Sequence, residues 1–391
     1  MREGRGKMKR WTFDRRGMVT VGLAALLGAC SVIPKGAERP GPVDTPTPEP
    51  TQSLPSDETR HRIALLVPMS GRNGAVGQSI ANATTMALLD TNADNLRITT
   101  YDTAKGPEAA TRQAIAEGNK LILGPLLGSN IASVTAPARA ADVPVISFSN
   151  DTGAAGPDVF IMGHVPEQSI ARTIQYARTQ GSQNFAIIAP DGEYGARAEQ
   201  AARSAVAAYG GNLVWTERFA RGNTSIVSAA ERLKAHGGFD TVLIADGARL
   251  AAQAARVLKS DGNGATQLLG TELWSGEGSV TRASALRGAW FSAVSDNRYK
   301  RFVDSYEARF GSQPYRIATL GYDAVLLTLR VARDWRVGRD FPDGALRNED
   351  GFLGLDGAFR FHRNGLVERA FEVREVRDGS VVVIENAPAR F

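Results

Sequence analysis

The chain has one cysteine, Cys30, and four histidines, His61, His164, His236 and His362. Thiols and imidazoles are the first groups to weigh as nucleophiles and metal ligands. The histidines are widely separated, and no two stand at the H-x-x-x-H spacing that puts two ligands on one helix face. No second cysteine exists to complete a zinc site or a disulfide. The nearest approach to a G-x-S-x-G elbow is Gly77-Gln78-Ser79-Ile80-Ala81, which lacks the last glycine. The S-x-x-K and K-T-G motifs of penicillin-binding enzymes are missing, as is the G-x-x-x-x-G-K-[ST] phosphate loop. Asp261-Gly262-Asn263 followed by Glu272 has the outline of a calcium loop. Ala265 and Thr266, however, stand where a ligand and a glycine are required. Nothing here predicts an enzyme, a metal site or a cofactor.

What remains for Cys30 is modification. Residues 1–16 hold seven basic and two acidic side chains, an apolar run follows at 18–27, and Gly28 and Ala29 precede the cysteine. A basic segment, a short apolar core and small residues at a cleavage point make a secretory signal. The core is too short for the roughly 20 helical residues that span a bilayer. Leu27-Gly28-Ala29-Cys30 resembles the bacterial lipobox, whose cysteine is acylated before the signal, here residues 1–29, is removed. Ser31 rather than Asp follows it, which points to the periplasmic side of the outer membrane. Arg15-Arg16 leaves the twin-arginine export route open beside the general one.

The whole chain carries 46 basic and 41 acidic residues. Without residues 1–16 it has 39 of each, so no surplus of cationic groups argues for nucleic acid. Residues 30–59 follow as a tether. Seven of the 18 prolines fall there and large apolar residues are scarce, so the stretch cannot bury enough surface to order itself. At ~3.1 Å per residue it reaches at most roughly 90 Å.

The elements that must position any site begin near residue 60. Ile63-Ala64-Leu65-Leu66-Val67 is a short apolar run and predicts a buried parallel strand. Val76, Ile80, Ala83 and Ala87 then recur at helical spacing. Strands at 96–101, 121–123 and 143–147 alternate with helices at 107–117 and 129–140. A second series follows. Helices are expected at 166–179, 193–209, 224–236 and 248–259, and strands at 185–189, 212–219, 240–245 and 289–291. Two long helices come next, at 298–310 and 316–334. Antiparallel strands at 357–361, 367–376 and 380–384 close the chain, with turns at Asn364-Gly365 and Asp378-Gly379. Such strand–helix alternation builds doubly wound parallel sheets.

Several local motifs carry a family likeness. They are Leu66-Val67-Pro68-Met69-Ser70-Gly71 with Gly77-Gln78 behind it, Leu123-Gly124-Pro125-Leu126, and Val143-Pro144-Val145-Ile146-Ser147. Ala189-Pro190-Asp191-Gly192-Glu193-Tyr194-Gly195 follows, and Gly357-Ala358-Phe359-Arg360-Phe361 comes late. In this order the chain, over about 60–385, resembles the type I periplasmic binding proteins, in the branch of leucine/isoleucine/valine receptors. The resemblance implies an α/β fold of two doubly wound lobes with three crossovers, one of 60–162 plus 278–345 and the other of 163–277 plus 346–391. Ligands of such folds sit where loops and helix N-termini meet at the carboxyl ends of strands. The residues there are Ser70, Gln78, Ser147, Ser149, Asn150, Tyr194, Asp246, Glu272 and Trp274. By the resemblance, Ser147, Ser149 and Asn150 would take the carboxylate of an amino acid. Glu272 or Asp246 would take its ammonium, and Tyr194 would face the cleft.

A second family with this fold adds the anchor. The chain is similar to the penicillin-binding protein activators, outer-membrane lipoproteins that contact a peptidoglycan synthase. The anchor, the long tether, and Pro125-Leu126 with bulky Phe148 in place of hydroxyl-rich loops favour that reading. The alternative is the solute receptor of an ABC permease for branched-chain amino acids or amides.

Overall fold

The computed structural model describes residues 59–222, 224–260, 266–388 and 391. The leader, Cys30 and the tether up to residue 58 lie outside the described residues, as do Asp261, Gly262 and Asn263. Strands β1 (His61–Val67), β2 (Leu96–Asp102), β3 (Ile122–Leu123), β4 (Val145–Ser147) and β5 (Val159–Ile161) form a parallel sheet in the order β2-β1-β3-β4-β5. Helices α1 (Gly74–Asp90), α2 (Pro107–Ala116) and α3 (Ile131–Ala140) make the connections. β1 explains its own composition. Ile63, Leu65 and Val67 enter the core on one face of the sheet, while Ala64 and Leu66 enter a second core on the other. A strand covered by helices on both faces has no polar side, so its sequence runs apolar without alternation.

The second half comprises α4 (Pro166–Thr179), β6 (Asn184–Pro190), α5 (Glu193–Ala208), β7 (Asn212–Phe219), α6 (Ser225–His236), β8 (Thr241–Ile244), α7 (Ala248–Leu258), β9 (Gln267–Leu269), α8 (Gly278–Arg282) and β10 (Trp290–Ala293). Helices α9 (Tyr299–Phe310) and α10 (Thr319–Ala332) come next. The chain then runs through β11 (Phe352–Gly354), β12 (Gly357–Phe361), β13 (Val367–Arg369), β14 (Glu372–Arg377) and β15 (Ser380–Glu385). A seven-stranded sheet has the order β15-β14-β10-β9-β8-β6-β7, and β11-β12-β13 form a small antiparallel sheet. Pro107 and Pro166 open α2 and α4, where a missing N–H costs nothing. In α5, Gly195, Ala198, Ala201, Ala202 and Ala205 recur at helical spacing and are buried together with Val206. They let the helix lie close on the sheet.

The architecture is two-lobed α/β, and the lobe boundaries differ from those expected. β10 pairs in parallel with β9 and antiparallel with β14, so it belongs to the second sheet and not with 278–345 in the first lobe. Phe359, Phe361 and Val367 pack in the same core as β1 and α10, so β11–β13 join the first lobe. The expected strand at 367–376 is therefore two strands in two sheets, broken at Ala370-Phe371. Its continuous β-forming composition does not reveal the change of sheet, because which sheet a strand joins is set by distant partners. Among the described residues the chain passes between the lobes three times, near 162–165, 294–298 and 370–371.

Charge gathers at these crossings. Arg369 at the third donates to the carbonyl of Met162 at the first, at 2.7 Å. Asp356, fully buried, accepts from Arg316 at 2.7 Å and from Thr319 at 2.9 Å, and its Oδ2 lies 2.8 Å from His164 Nε2. Arg374 joins Asp296 at the second crossing to Glu372 beyond the third.

Candidate functional site

The loops expected to form a site follow the carboxyl ends of β1, β3 and β4 in the first lobe and of β6, β8 and β9 in the second. In both lobes a glycine brings a helix hard against the strand before it. A Cβ on Gly77 of α1 would lie 1.8 Å from the Pro68 carbonyl oxygen, and one on Gly195 of α5 would lie 1.6 Å from that of Pro190. No side chain fits at either point, which accounts for glycine at both.

In the first lobe the polar residues mainly hold the loops together. The Ser70 hydroxyl donates to Asp102 at 2.8 Å, and the Met69 amide donates to the other oxygen of the same carboxylate. Gln78 is exposed and donates along α1 to Asn82, so it is not gathered with the others. Ser147 is 0% exposed. Its hydroxyl donates to the Pro125 carbonyl at 3.0 Å and accepts from the Ser149 amide, tying the loop after β3 to the loop after β4. The Ser149 hydroxyl accepts from the Asp151 amide. Asn150 is exposed, and its carbonyl accepts from Arg197 of the second lobe at 3.0 Å.

The second lobe brings Tyr194 and Glu272 together. The Tyr194 hydroxyl lies 3.0 Å from Thr271 Oγ1 and 3.3 Å from Glu272 Oε1. Glu272 Oε2 is shut off from solvent and has no partner among the described residues. Burial is the main reason the Glu272 carboxyl is pushed up from an ordinary 4.5 to about 7. Tyr194 is also pushed up, first by burial and then by the negative charge of Glu272.

Asp246 and Trp274 are placed differently from the expectation. Asp246 is 7% exposed, and its Oδ2 is bound by Arg221 Nε at 2.7 Å. Its Oδ1 takes the Gly247 amide, so it offers no unclaimed oxygen for an ammonium. Trp274 is 1% exposed and packs in the core beneath the loop. Its indole N–H donates to the Asp246 carbonyl at 2.8 Å, and the ring fills the space where Gly270 would carry a Cβ. It seats the site from behind and does not line it.

Three residues were not anticipated. Arg197 grips Glu167 with two nitrogens at 2.7 and 2.9 Å, and Arg221 lies over the Tyr194 ring at 5.6 Å. Arg and Glu on helix and loop surfaces are too common to signal a site. The only hint is that Arg197 stands three positions after Tyr194, on the same helix face. The assembled group is an acid with one unclaimed oxygen, a phenol and two guanidinium groups already paired. That arrangement can hold a cationic or hydrogen-bonding solute. Among the described residues no group of three or more His, Cys, Asp or Glu is placed to hold a metal ion.

Comparison with known proteins agrees with the two-lobed fold. A profile described as periplasmic binding protein matches residues 61–380. A solved structure described as a putative branched-chain amino acid ABC transporter from Rhodospirillum rubrum superposes with a TM-score of 0.75 at 21% identity, covering 83% of this chain and 100% of that one. The branched-chain amino acid substrate-binding protein of Streptococcus pneumoniae, in complex with isoleucine, gives 0.61 at 20% identity over 84% and 100%. An ABC transporter solute-binding protein of Rhodopseudomonas palustris, in complex with 3,4-dihydroxybenzoic acid, gives 0.63 at 19% over 85% and 98%. At such identities these likenesses speak for the fold alone. An uncharacterized protein of Rickettsia prowazekii is 28% identical over 172 residues, 44% of this chain and 46% of that protein. The match thus spans about half the length of that relative.

Proposed function

We propose, from the premise that the chain belongs to the periplasmic binding protein family, a typically non-enzymatic one, that its cleft captures a small amino-acid-like solute for an ABC importer. The observation that carries this is the buried, unpartnered Oε2 of Glu272. A buried polar atom without a partner costs free energy, and a solute ammonium would remove that cost. In this reading the loop 147–151 of the other lobe takes the solute's carboxylate, with the Ser149 hydroxyl, which accepts from the Asp151 amide, still having its own hydrogen to donate. Isoleucine and dihydroxybenzoate, held by two relatives, both bring a carboxylate, and isoleucine alone brings an ammonium.

Calorimetric titration of the full chain with branched-chain amino acids, their amides and hydroxybenzoates tests the reading. Micromolar binding of the ammonium-bearing solutes is expected. Glu272→Gln should weaken it by roughly 10- to 100-fold, the range for a hydrogen bond to a charged group. A flat response across all three classes would sink the receptor reading.

A second reading is activation of a peptidoglycan synthase from the outer membrane. It is supported by the lipobox-like Leu27-Gly28-Ala29-Cys30, the Pro-rich tether and the apolar Pro125-Leu126 segment. Stimulated glycan polymerisation by a co-purifying synthase, with no solute bound, would favour it. Mass spectrometry of the mature protein tests the proposed acylation of Cys30.

A further inference from the structure

We infer that Arg197 is a positioning residue, an interlobe bridge that sets how readily the two halves part. Arg197 lies one turn into α5 of the second lobe, beyond Tyr194. Its Nε and Nη2 bind the two oxygens of Glu167 at 2.7 and 2.9 Å. The same Nη2 donates to the carbonyl of Asn150 at 3.0 Å. Glu167 is in the first turn of α4, also in the second lobe, whereas Asn150 follows β4 in the first. One guanidinium thus spans the lobes and ends on the loop assigned to the solute's carboxylate.

Among the described residues, other hydrogen bonds between the lobes lie at or beside the crossings. Arg369 reaches Met162, and Gln168 pairs with the backbone of Val367 and Arg369. Those bonds are made by residues close to where the chain itself passes between the lobes, whereas Arg197 reaches across from α5. The Arg197 contact joins the loop after β4 in the first lobe to α5 in the second, positions 47 residues apart, next to the Ser149 carbonyl that accepts from the Gly163 amide at the first crossing.

The parts suit this use. The bidentate grip of Glu167 fixes the guanidinium plane, so little side-chain entropy is lost in reaching Asn150. The hydrogen bond to Glu167 most of all, and the negative charges of Glu193 and Asp151 in smaller part, favour the charged form of Arg197. The acceptor is a backbone carbonyl, so the bond forms without a solute. A charge-assisted hydrogen bond of this kind favours the closed arrangement by roughly tenfold or more.

The inference rests on the receptor reading for its purpose but not for its test. Hydrogen exchange by mass spectrometry on the ligand-free full chain is the measurement, with small-angle scattering beside it. In Arg197→Met, amides at 149–153 and at 271–275, on opposite lobes, should exchange at least roughly threefold faster, and the radius of gyration should rise. Glu167→Gln keeps the bond to Asn150 and should show a smaller change. Arg197→Lys keeps the charge without the planar fork and should fall between, which keeps the test readable if the methionine variant folds poorly. Unchanged exchange at 149–153 in Arg197→Met would overturn the inference. So would a Glu167→Gln profile equal to that of Arg197→Met, since Arg197 would then only brace α4 against α5. If exchange rises but no solute binds, the receptor reading fails and the bridge stands. If solutes bind and exchange is unchanged, the bridge fails and the reading stands.

Discussion

Two acids with oxygens shut off from solvent, Asp356 at the crossings and the half-buried Glu272 in the proposed site, are treated in opposite ways. Asp356 is packed against an arginine, a histidine and a threonine hydroxyl. Burial alone would push its carboxyl up, but Arg316 and His164 hold it well below the usual carboxylate range. Glu272 meets one phenol through one oxygen and nothing through the other, so burial prevails and its carboxyl rises to about 7. The first acid has its cation, Arg316, built in and serves the fold. The second lacks one, and that deficit is what the proposed solute would fill. Burial of an acid is therefore not in itself the mark of a binding site; the unfilled bonding capacity is.

The contrast can be broken most sharply at Asp356. Asp356→Asn leaves Arg316 facing a neutral amide, with only Asp296 at 3.6 Å as a remaining acid among the described residues, and a loss of about 3 kcal/mol, the low end for a broken buried pair, is expected. Glu272→Gln removes a charge that has no cation, so its unfolding free energy should stay level or rise. Urea unfolding of both variants checks this, and equal losses would erase the distinction.

A second expectation concerns pH. The folded Glu272 binds its proton more tightly than the unfolded chain does, from an ordinary 4.5 to about 7. Between these values the native state holds more protons than the unfolded one, so stability falls as pH rises from 4.5 through 7. The loss from this group approaches about 3 kcal/mol above pH 7. Asp323, pushed up to about 7 by burial and then by the charge of Asp356, acts in the same direction. The difference between wild type and Glu272→Gln isolates the cleft acid. A difference that does not change between pH 5 and pH 8 would refute the assignment. Binding of an ammonium needs the ionised acid, so affinity should drop as pH falls below about 7, by up to tenfold per unit.

Smaller effects sharpen the comparison within the cleft. Gly195→Ala forces α5 away from the Pro190 carbonyl and displaces Tyr194. A loss of about 2 kcal/mol is expected, together with weaker solute binding. Retained affinity in this variant would show that Tyr194 has no part in the site. Trp274→Phe leaves the buried carbonyl of Asp246 without its donor and should cost about 1 kcal/mol, read from the urea midpoint. A midpoint equal to wild type would mean that the indole bond does not anchor the loop.

Much of the framework was legible in the residues. The apolar run 63–67 predicted a strand buried on both faces, and the two core clusters around β1 are its realisation. Asn364-Gly365 and Asp378-Gly379 predicted turns, and Gly365 and Gly379 adopt φ of +82° and +67° in the links between β12 and β13 and between β14 and β15. Of the site, the pairing of Tyr194 with Glu272 joins two residues singled out beforehand. The capture of Asp246 by Arg221, the burial of Trp274, the bridge from Arg197 and the split of 367–376 between two sheets were not legible.

The reason is range. Apolar period, helix-starting prolines and positive-φ glycines act through neighbours a few residues away, so the sequence alone decides strands, helices and turns. Which carboxylate receives a cation, and which keeps a bare oxygen, depends on groups 25 to 192 positions distant, as with Arg221 and Asp246 or His164 and Asp356. Only the tertiary structure decides that, because the path of the whole chain must be known before such groups can be seen to meet.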